Sequence, residues 1–415
     1  MRDSRRWICG LVCLAFLGLV GADVAQAQSA GDVAISVLPG DIGYGGIVRR
    51  GTWTPVRATI EYRAQQPRQV IVEWVIPDVD GDLVQSRRTE TLQARRTSRV
   101  WLYAVPPASS RQGDVWHVRV LDAETQQQLA ARPFSAPKLI YSTSGNIGVL
   151  GVELLGLERY RQRFTQHESI NILRDLRPRD LPDRWYGLEM FETLILTPRA
   201  GDPLSPDNHG AVRSIRHWVQ RGGHLVIIMP GVGDPWADPT LSDLRPNVNA
   251  RRVQDMEPPH FLLPAANVPM VPAQRKQIES DFENIDLTAH VLEPVDSAPD
   301  VSVLLWRQEK IVNGRIEGTD PLVVARKVGF GRVTLVGVDL TDPRLARLSA
   351  PVGQSIFWGR VAGWRSPGYS LGELKHRVEK AEPDKGPFPR EPVHGTNFED
   401  RMTLARELLN EHLGM

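Results

Sequence analysis

Beyond residue 13 this sequence contains no cysteine; both of its cysteines, Cys9 and Cys13, lie close to the start. A mature chain that begins after them can hold no disulfide, no thiolate metal site and no cysteine nucleophile. Charge of one sign is equally lacking. Fifty Lys and Arg, 50 in all, meet 49 Asp and Glu for a formal net charge of +1, so no bulk field draws a nucleic-acid polyanion. Long hydrophobic runs are absent after the first twenty residues, and nothing later approaches the roughly 20 apolar residues that cross a bilayer. No Lys-Ser/Thr follows a glycine loop, no Gly-x-Ser-x-Gly elbow activates a serine, and no His-x-x-x-His or HExxH pair occurs. His209, His217 and His224 are near in sequence but not at ligand spacing. Neither a metal nor a cofactor is expected.

What is present begins with an address. Arg2, Arg5 and Arg6 precede an apolar stretch from Trp7 to Val20, followed by Ala25-Gln26-Ala27. This is the pattern of a bacterial secretory signal over residues 1–27. Ser4-Arg5-Arg6-Trp7-Ile8 partly matches the twin-arginine variant. Periplasmic or secreted location follows, with an uncleaved N-terminal anchor as the alternative.

Residues 32–136 read as strands. "VAISVLPG", "PVRATIEYR", "RQVIVEWVIP", "SRVWLYAVP" and "DVWHVRVLD" alternate apolar and polar positions between turn residues, as in a β-sandwich. Ile71, Glu73 and Val75 share one face, and Val70, Val72 and Trp74 the other. Trp53, Trp74, Trp101 and Trp116 fall in or beside these strands as core anchors, or as a sugar-stacking row if two or more are coplanar and exposed. From Pro137 to 365 the period changes. "FETLILTP" and "HLVIIM" read as buried strands, and the stretch ending "HGAVRSIRHWVQRGG" as a helix stopped by Gly222-Gly223. "VVARKVGFGRVTLV" is a hairpin bent at Gly329-Phe330-Gly331. Strands alternating with helices predict a mostly parallel sheet covered on both faces. Residues 230–272 read as one long loop, 366–396 as a linker, and 397–415 as an amphipathic helix with Phe398, Met402, Ala405, Leu409 and Leu413 on one stripe.

The order "DLPDRWYGLEMFETLILT…HGAVRSIRHWVQRGGHLVII…GFGRVTLVGVDLTDP…FW" resembles the class I glutamine amidotransferase-like fold of exported bacterial proteins. "GTWTPV" at Gly51–Val56 fits the same group. The resemblance covers residues 139–365 and, more weakly, 32–136. It implies α/β plus all-β architecture: a β-sandwich, then a flavodoxin/amidotransferase-like, mostly parallel three-layer α/β domain, then a C-terminal helical tail. The enzymes of that superfamily use a cysteine at a strand-to-helix turn. This mature chain has none, so the resemblance implies the fold without the transferase chemistry.

Ligands of open α/β sheets bind beyond the carboxyl ends of the strands. Two turns are therefore rim candidates. One is Ser142, Thr143 and Ser144, in the turn running to Asn146. The other is Gly231, Gly233 and Asp234, with Asp339 at the end of "GVDLTDP". Gly231 and Gly233 would let a backbone approach a phosphate, but Asp234 and the following prolines argue for a simple turn. Asp339 and Asp342 also suit a turn or helix cap. Asp78-Val79-Asp80-Gly81-Asp82 lacks the distal Glu of a calcium loop and reads as a hairpin turn.

The leading expectation is a non-catalytic, exported envelope protein that binds or assembles with a protein partner through its C-terminal helix. Peripheral membrane association is an alternative for that helix, opposed by Glu399, Asp400, Glu407 and Glu411. The rivals are an envelope hydrolase using Asp234 or Asp339 with His260, which requires paired carboxylates, and a carbohydrate-binding module.

Overall fold

The computed structural model describes residues 31–363, apart from 79, 108, 141–144, 152–154, 158–169, 199–208, 232–242, 257–258, 260–271, 274–275, 277–279, 281–286, 296–299, 313–314 and 348–352. The signal segment, the linker and the C-terminal helix read from the sequence lie outside the described residues.

Two sheets face each other at the start. One joins β1 (Val33–Ser36), β3 (Thr54–Tyr62) and β6 (Thr97–Ala104) in the order β1-β3-β6. The other joins β4 (Arg68–Pro77), β5 (Leu83–Leu92), β7 (Val115–Asp122) and β8 (Gln128–Ser135) in the order β5-β4-β7-β8. Every pairing within them is antiparallel. Alternation decides what is buried. Val70, Val72, Trp74 and Ile76 of β4 meet Trp116, Val118 and Val120 of β7 in one core. Turn chemistry closes the β4–β5 hairpin: Gly81 takes a left-handed φ of 87°, and Asp78 Oδ1 accepts from the backbone N–H groups of Asp80 and Asp82. A parallel ribbon of β2 (Ile47–Arg49) and β9 (Lys138–Ile140) lies beside the sandwich.

The second body is a seven-stranded sheet. It uses β10 (Gly145–Leu150), β11 (Ile170–Leu176), β12 (Thr193–Leu196), β13 (His224–Ile228), β16 (Val301–Val312), β17 (Arg315–Val328) and β18 (Gly331–Val336), in the order β11-β10-β12-β13-β18-β17-β16. The first five in that order run parallel. β17 and β16 run antiparallel at one edge. β12 and β13 are buried along their whole length, as strands covered on both faces must be. On one face lie α1 (His209–Gln220) and residues 181–191. On the other lie α2 (Pro343–Arg347), α3 (Gly353–Ala362) and most of the apolar side chains of a separate ribbon, β14 (Val248–Met256) with β15 (Leu287–Pro294).

The expected flavodoxin/amidotransferase-like three-layer α/β domain is therefore corrected. Strands dominate the described part of residues 137–365, the sheet is mixed, and three α-helices are found among the described residues, one of them five residues long. The physical reasons are local. The β11–β12 connection carries Pro178 and Pro182 and makes two 3₁₀ turns, Pro178–Asp180 and Trp185–Leu188, in place of a helix. The β-branched runs of β16 and β17 pair as a long antiparallel ribbon at the sheet edge, which makes the sheet mixed. "TAHVLEP" pairs with β14 outside the main sheet, and β14 itself falls inside the stretch expected to be loop. Its sequence, VNARRVQDM, hides a strand because its exposed arginines break the apolar pattern.

The sandwich covers part of the sheet's helix-side face. Tyr44 and Ile140 belong to the same buried cluster as Leu181, Leu188 and Phe191. The Tyr44 hydroxyl donates to Gly187 O at 2.7 Å, and its ring lies 4.5 Å from that of Phe191. Arg57 reaches out from β3, giving Nε and Nη2 to Asp41 Oδ1 at 2.9 and 2.6 Å and Nη1 to Asp180 Oδ1 at 3.0 Å. Its guanidinium sits 5.6 Å from the Trp101 ring.

Candidate functional site

The carboxyl edge of the sheet is built where β13 and β18 end. Pro230 and Gly231 follow β13, and Gly337, Val338 and Asp339 follow β18. Asp339 Oδ2 accepts from Gly231 N–H at 3.3 Å. Asp339 Oδ1 accepts from the Thr341 N–H at 2.9 Å and from its hydroxyl at 2.6 Å. Both carboxylate oxygens thus hold the rim together. Asp342 caps α2, accepting from Arg344 N–H at 2.8 Å and pairing with its guanidinium. His290 of β15 closes the edge from the ribbon side. Its Nε2 donates to Pro230 O at 3.1 Å, so the proton sits on that nitrogen, and its N–H donates to Gly337 O at 2.7 Å.

Of the sequence candidates, Gly231 and Asp339 come together here. Ser142, Thr143, Ser144, Gly233, Asp234 and His260 lie outside the described residues. Two readings attached to them change. β10 starts at Gly145, so Asn146 stands inside the strand at its amino end, not in a turn at the carboxyl edge. There it is fully buried, donating to Met190 O at 2.9 Å and accepting from Asn171 Nδ2 at 3.1 Å. Gly231 does not form a cradle among the described residues: an added Cβ would meet only Thr288 Cβ, at 3.8 Å.

The amino edge holds a buried polar chain that the sequence did not single out. His224 Nε2 lies 2.9 Å from Thr334 Oγ1, and Arg332 Nη2 donates to His224 Nδ1 at 3.2 Å and to Val361 O at 2.9 Å. Because Arg332 can only donate, Nδ1 accepts and Nε2 carries the proton. Burial, with the Arg332 charge second, pushes the His224 imidazole well below its ordinary range. The only signal for this chain was His224 at the head of a buried strand, beside Arg332 on its neighbour.

The remaining candidates resolve into structure. Trp74 and Trp116 are sealed in the sandwich core with ring centroids 5.5 Å apart and no partner for either indole N–H among the described residues. Trp101 is half-buried beneath Arg57. Trp53 is 39% exposed, but its ring leans at 45° on Tyr186. These four do not make the coplanar exposed row that sugar stacking requires. Among the described residues no three His, Cys, Asp or Glu side chains are grouped to hold a metal ion, and no helix is long and apolar enough to cross a membrane.

No family model matches this chain, and no curated protein matches it. Among solved structures it is similar to a CARDB domain from Pyrococcus furiosus in complex with di-metal ions, at 13% identity over 26% of this chain and 89% of that one, TM-score 0.19. It is similar to a beta-glucosidase from Listeria innocua in complex with glucose, at 12% identity over 27% of this chain and 16% of that one, TM-score 0.19. A third is the Pseudomonas fluorescens alkylpurine DNA glycosylase bound to DNA containing an abasic site analog, at 16% identity over 26% of this chain and 31% of that one, TM-score 0.19. This chain thus spans about a third of the glycosylase and about a sixth of the glucosidase. Likeness at this level assigns no activity.

Proposed function

We propose that this chain is an exported, non-catalytic protein of the bacterial envelope that works as a binding or assembly module for a protein partner. The export reading rests on the arginines, apolar stretch and Ala25-Gln26-Ala27 at the start of the chain. One observation carries the non-catalytic reading. Asp339, the described carboxylate at the sheet's carboxyl edge, spends both oxygens on Gly231 and Thr341, whereas a general acid or base needs an oxygen turned towards substrate. The partner is met through residues 397–415, whose apolar stripe needs cover: a helix that short is marginal alone in water.

The test uses the mature chain from residue 28 and its Asp339→Ala variant, assayed on chromogenic glycosides and peptides and on solubilised cell-wall fragments. Neither protein should turn substrate over above the blank, and the variant should melt at lower temperature. Turnover by the parent that disappears in the variant would establish the hydrolase instead. For the partner, removal of residues 397–415 should abolish co-purification with one envelope protein; retention would take the helix out of the proposal.

A further inference from the structure

The amino edge of the mixed sheet ends in a tight bend that carries an aromatic ring into water. Gly329-Phe330 join β17 to β18, positions that two-residue hairpins usually fill with Gly, Asn or Asp. The backbone there is clamped. Phe330 N–H donates to Gln220 O at 3.0 Å, and a Cβ on Gly329 would lie 2.4 Å from that same oxygen. The Phe330 side chain is nevertheless 92% exposed. A fixed backbone thus presents a ring that the fold itself does not bury.

Phe330 does not stand alone. Gln220 is followed by Arg221, whose guanidinium lies 4.5 Å from the centroid of the Trp185 ring. Trp185 meets Tyr186 at 5.6 Å, and Tyr186 meets Trp53 at 5.1 Å. Trp185 and Tyr186 are half-buried and Trp53 is exposed. A line of contacts therefore runs from the bend to the sandwich, with rings partly open along it. The charge beside these rings is positive. Arg184, Arg221 and Lys327 are exposed. Val324 and Val328 of β17 pack with the α1 cluster, so alternation puts Lys327 on the other face and Phe330 has a cation on each side of the sheet. α1 contains no acidic residue. The exposed carboxylate along the line, Glu189, accepts from Trp53 N–H at 3.0 Å.

Rings interleaved with cations suit one kind of partner. A protein interface is built on a charge-poor apolar centre. The aliphatic side chains exposed among the described residues, Leu38, Leu83, Val84 and Val115, all belong to the sandwich segment and not to this edge. The headgroup zone of a bilayer takes the mixture found here: amphipathic rings enter it while Arg and Lys keep their charges at the phosphates. We infer that the Gly329-Phe330 bend is the tip of a membrane-contact surface. It seats Phe330 at the headgroup boundary of an anionic bilayer, with Arg221, Lys327 and Arg184 against lipid phosphates. The inference goes beyond the protein-partner reading and does not rest on it.

The chain from residue 28 has no native cysteine, so an environment-sensitive fluorophore can be placed at Phe330→Cys alone. Vesicles of phosphatidylethanolamine and phosphatidylglycerol should shift its emission to the blue, and vesicles of phosphatidylcholine should not. The same label at Arg177→Cys, exposed beyond the carboxyl end of β11, should stay unshifted with both. In sedimentation with the anionic vesicles, unlabelled Phe330→Ala should bind about tenfold more weakly than the parent, for the loss of part of a buried aromatic side chain. Arg184→Gln combined with Lys327→Gln should bind roughly 25-fold more weakly, at about fivefold for each basic residue near an anionic surface. All three positions are exposed, and a melt matching the parent shows each variant folded. Absence of parent binding overturns the inference, as does binding that survives either set of substitutions undiminished. A shift at position 177 as large as that at 330 also overturns it. A blue shift without vesicles that grows with protein concentration assigns the bend to a second copy of the chain and overturns the membrane contact.

Discussion

Tyr103 and Asp183 hold each other twice across the junction between the sandwich and the mixed sheet. The Tyr103 hydroxyl donates to Asp183 Oδ1 at 2.5 Å and accepts from the Asp183 N–H at 3.1 Å. Arg88 Nη1 reaches the other carboxylate oxygen at 3.0 Å. Eighty residues of sequence separate the pair, yet together with Arg57 and Tyr44 they fix how the two bodies sit.

Tyr103→Phe should therefore loosen the junction. It removes the donor to an ionised carboxylate and the acceptor of a backbone N–H, a loss of about 1.5 to 3 kcal/mol. Burial first, then the hydrogen bond to Asp183, raises the Tyr103 phenol far above its ordinary value, and burial raises Tyr44 likewise. The unfolded chain then releases these protons first, at about pH 10. Their stabilisation is complete below that pH and is lost progressively as pH rises above it towards the raised folded pKa values. Denaturant titrations at pH 8 and pH 10.5 should show a smaller alkaline loss in Tyr103→Phe than in the parent. An equal loss would show that Tyr103 is not held in this bond.

Arg57→Ala tests the other clasp. Asp41 is 7% exposed and would keep only the Leu38 N–H at 3.1 Å, while Asp180 would lose its link to the sandwich. Leaving a buried carboxylate without its cation should cost about 2 to 3 kcal/mol. Arg57→Lys should recover only part of it, because one ammonium cannot reproduce the fork that bonds Asp41 and Asp180 at once. The check is the urea midpoint of both variants, and full recovery by lysine would refute the fork.

Much of the strand pattern was legible in the residues themselves, and the errors have physical causes. Alternation along "QVIVEWVI" separates Val70, Val72 and Trp74 from Ile71, Glu73 and Val75, as the sheet does. Gly222 and Gly223 end α1, and Gly329-Phe330 forms the two-residue bend between β17 and β18. The α/β reading failed where tertiary contacts decide: residues 177–191, between β11 and β12, make two 3₁₀ turns that pack on the sandwich and cover the sheet without a long helix. One misplaced strand start sent Asn146 to the wrong edge of the sheet. At the rim, the sequence brought Gly231 and Asp339 to one edge but could not show that the two carboxylate oxygens are divided between Gly231 and Thr341. The junction left no sequence signal, since an ion pair between positions 57 and 180 has no period to detect.

His224 should set part of the acid sensitivity. Burial, then Arg332, lowers its folded pKa, so below about pH 6.5 the unfolded chain takes up a proton that the folded one refuses. That stabilisation is present above the unfolded pKa and fades as pH falls. His117 acts in the same direction through burial and Arg119, so a His224→Gln variant should lose less stability than the parent between pH 7 and pH 5 without becoming flat. In the parent, the His224 ring resonances should not titrate over that range; titration near pH 6.5 would contradict a buried neutral ring.

The β17–β18 bend separates geometry from exposure. Phe330 is 92% exposed, and its N–H donates to Gln220 O at 3.0 Å; removing its ring takes away no burial, so Phe330→Ala should change stability by less than about 0.5 kcal/mol. Gly331 is the opposite case. A Cβ there would lie 2.0 Å from Val219 O and 2.3 Å from Gly223 O, both backbone atoms at the end of α1, and neither can move without pulling the helix from β13. Gly331→Ala should cost about 3 kcal/mol, the upper range for forcing extra volume into a packed site. Because the strain is relieved by separating the bend from the helix, amide exchange should quicken at Phe330 and around Gly222 before it quickens in β12. Thermal melts together with exchange rates check this, and a Gly331→Ala protein as stable as Phe330→Ala would mean the bend does not press on α1.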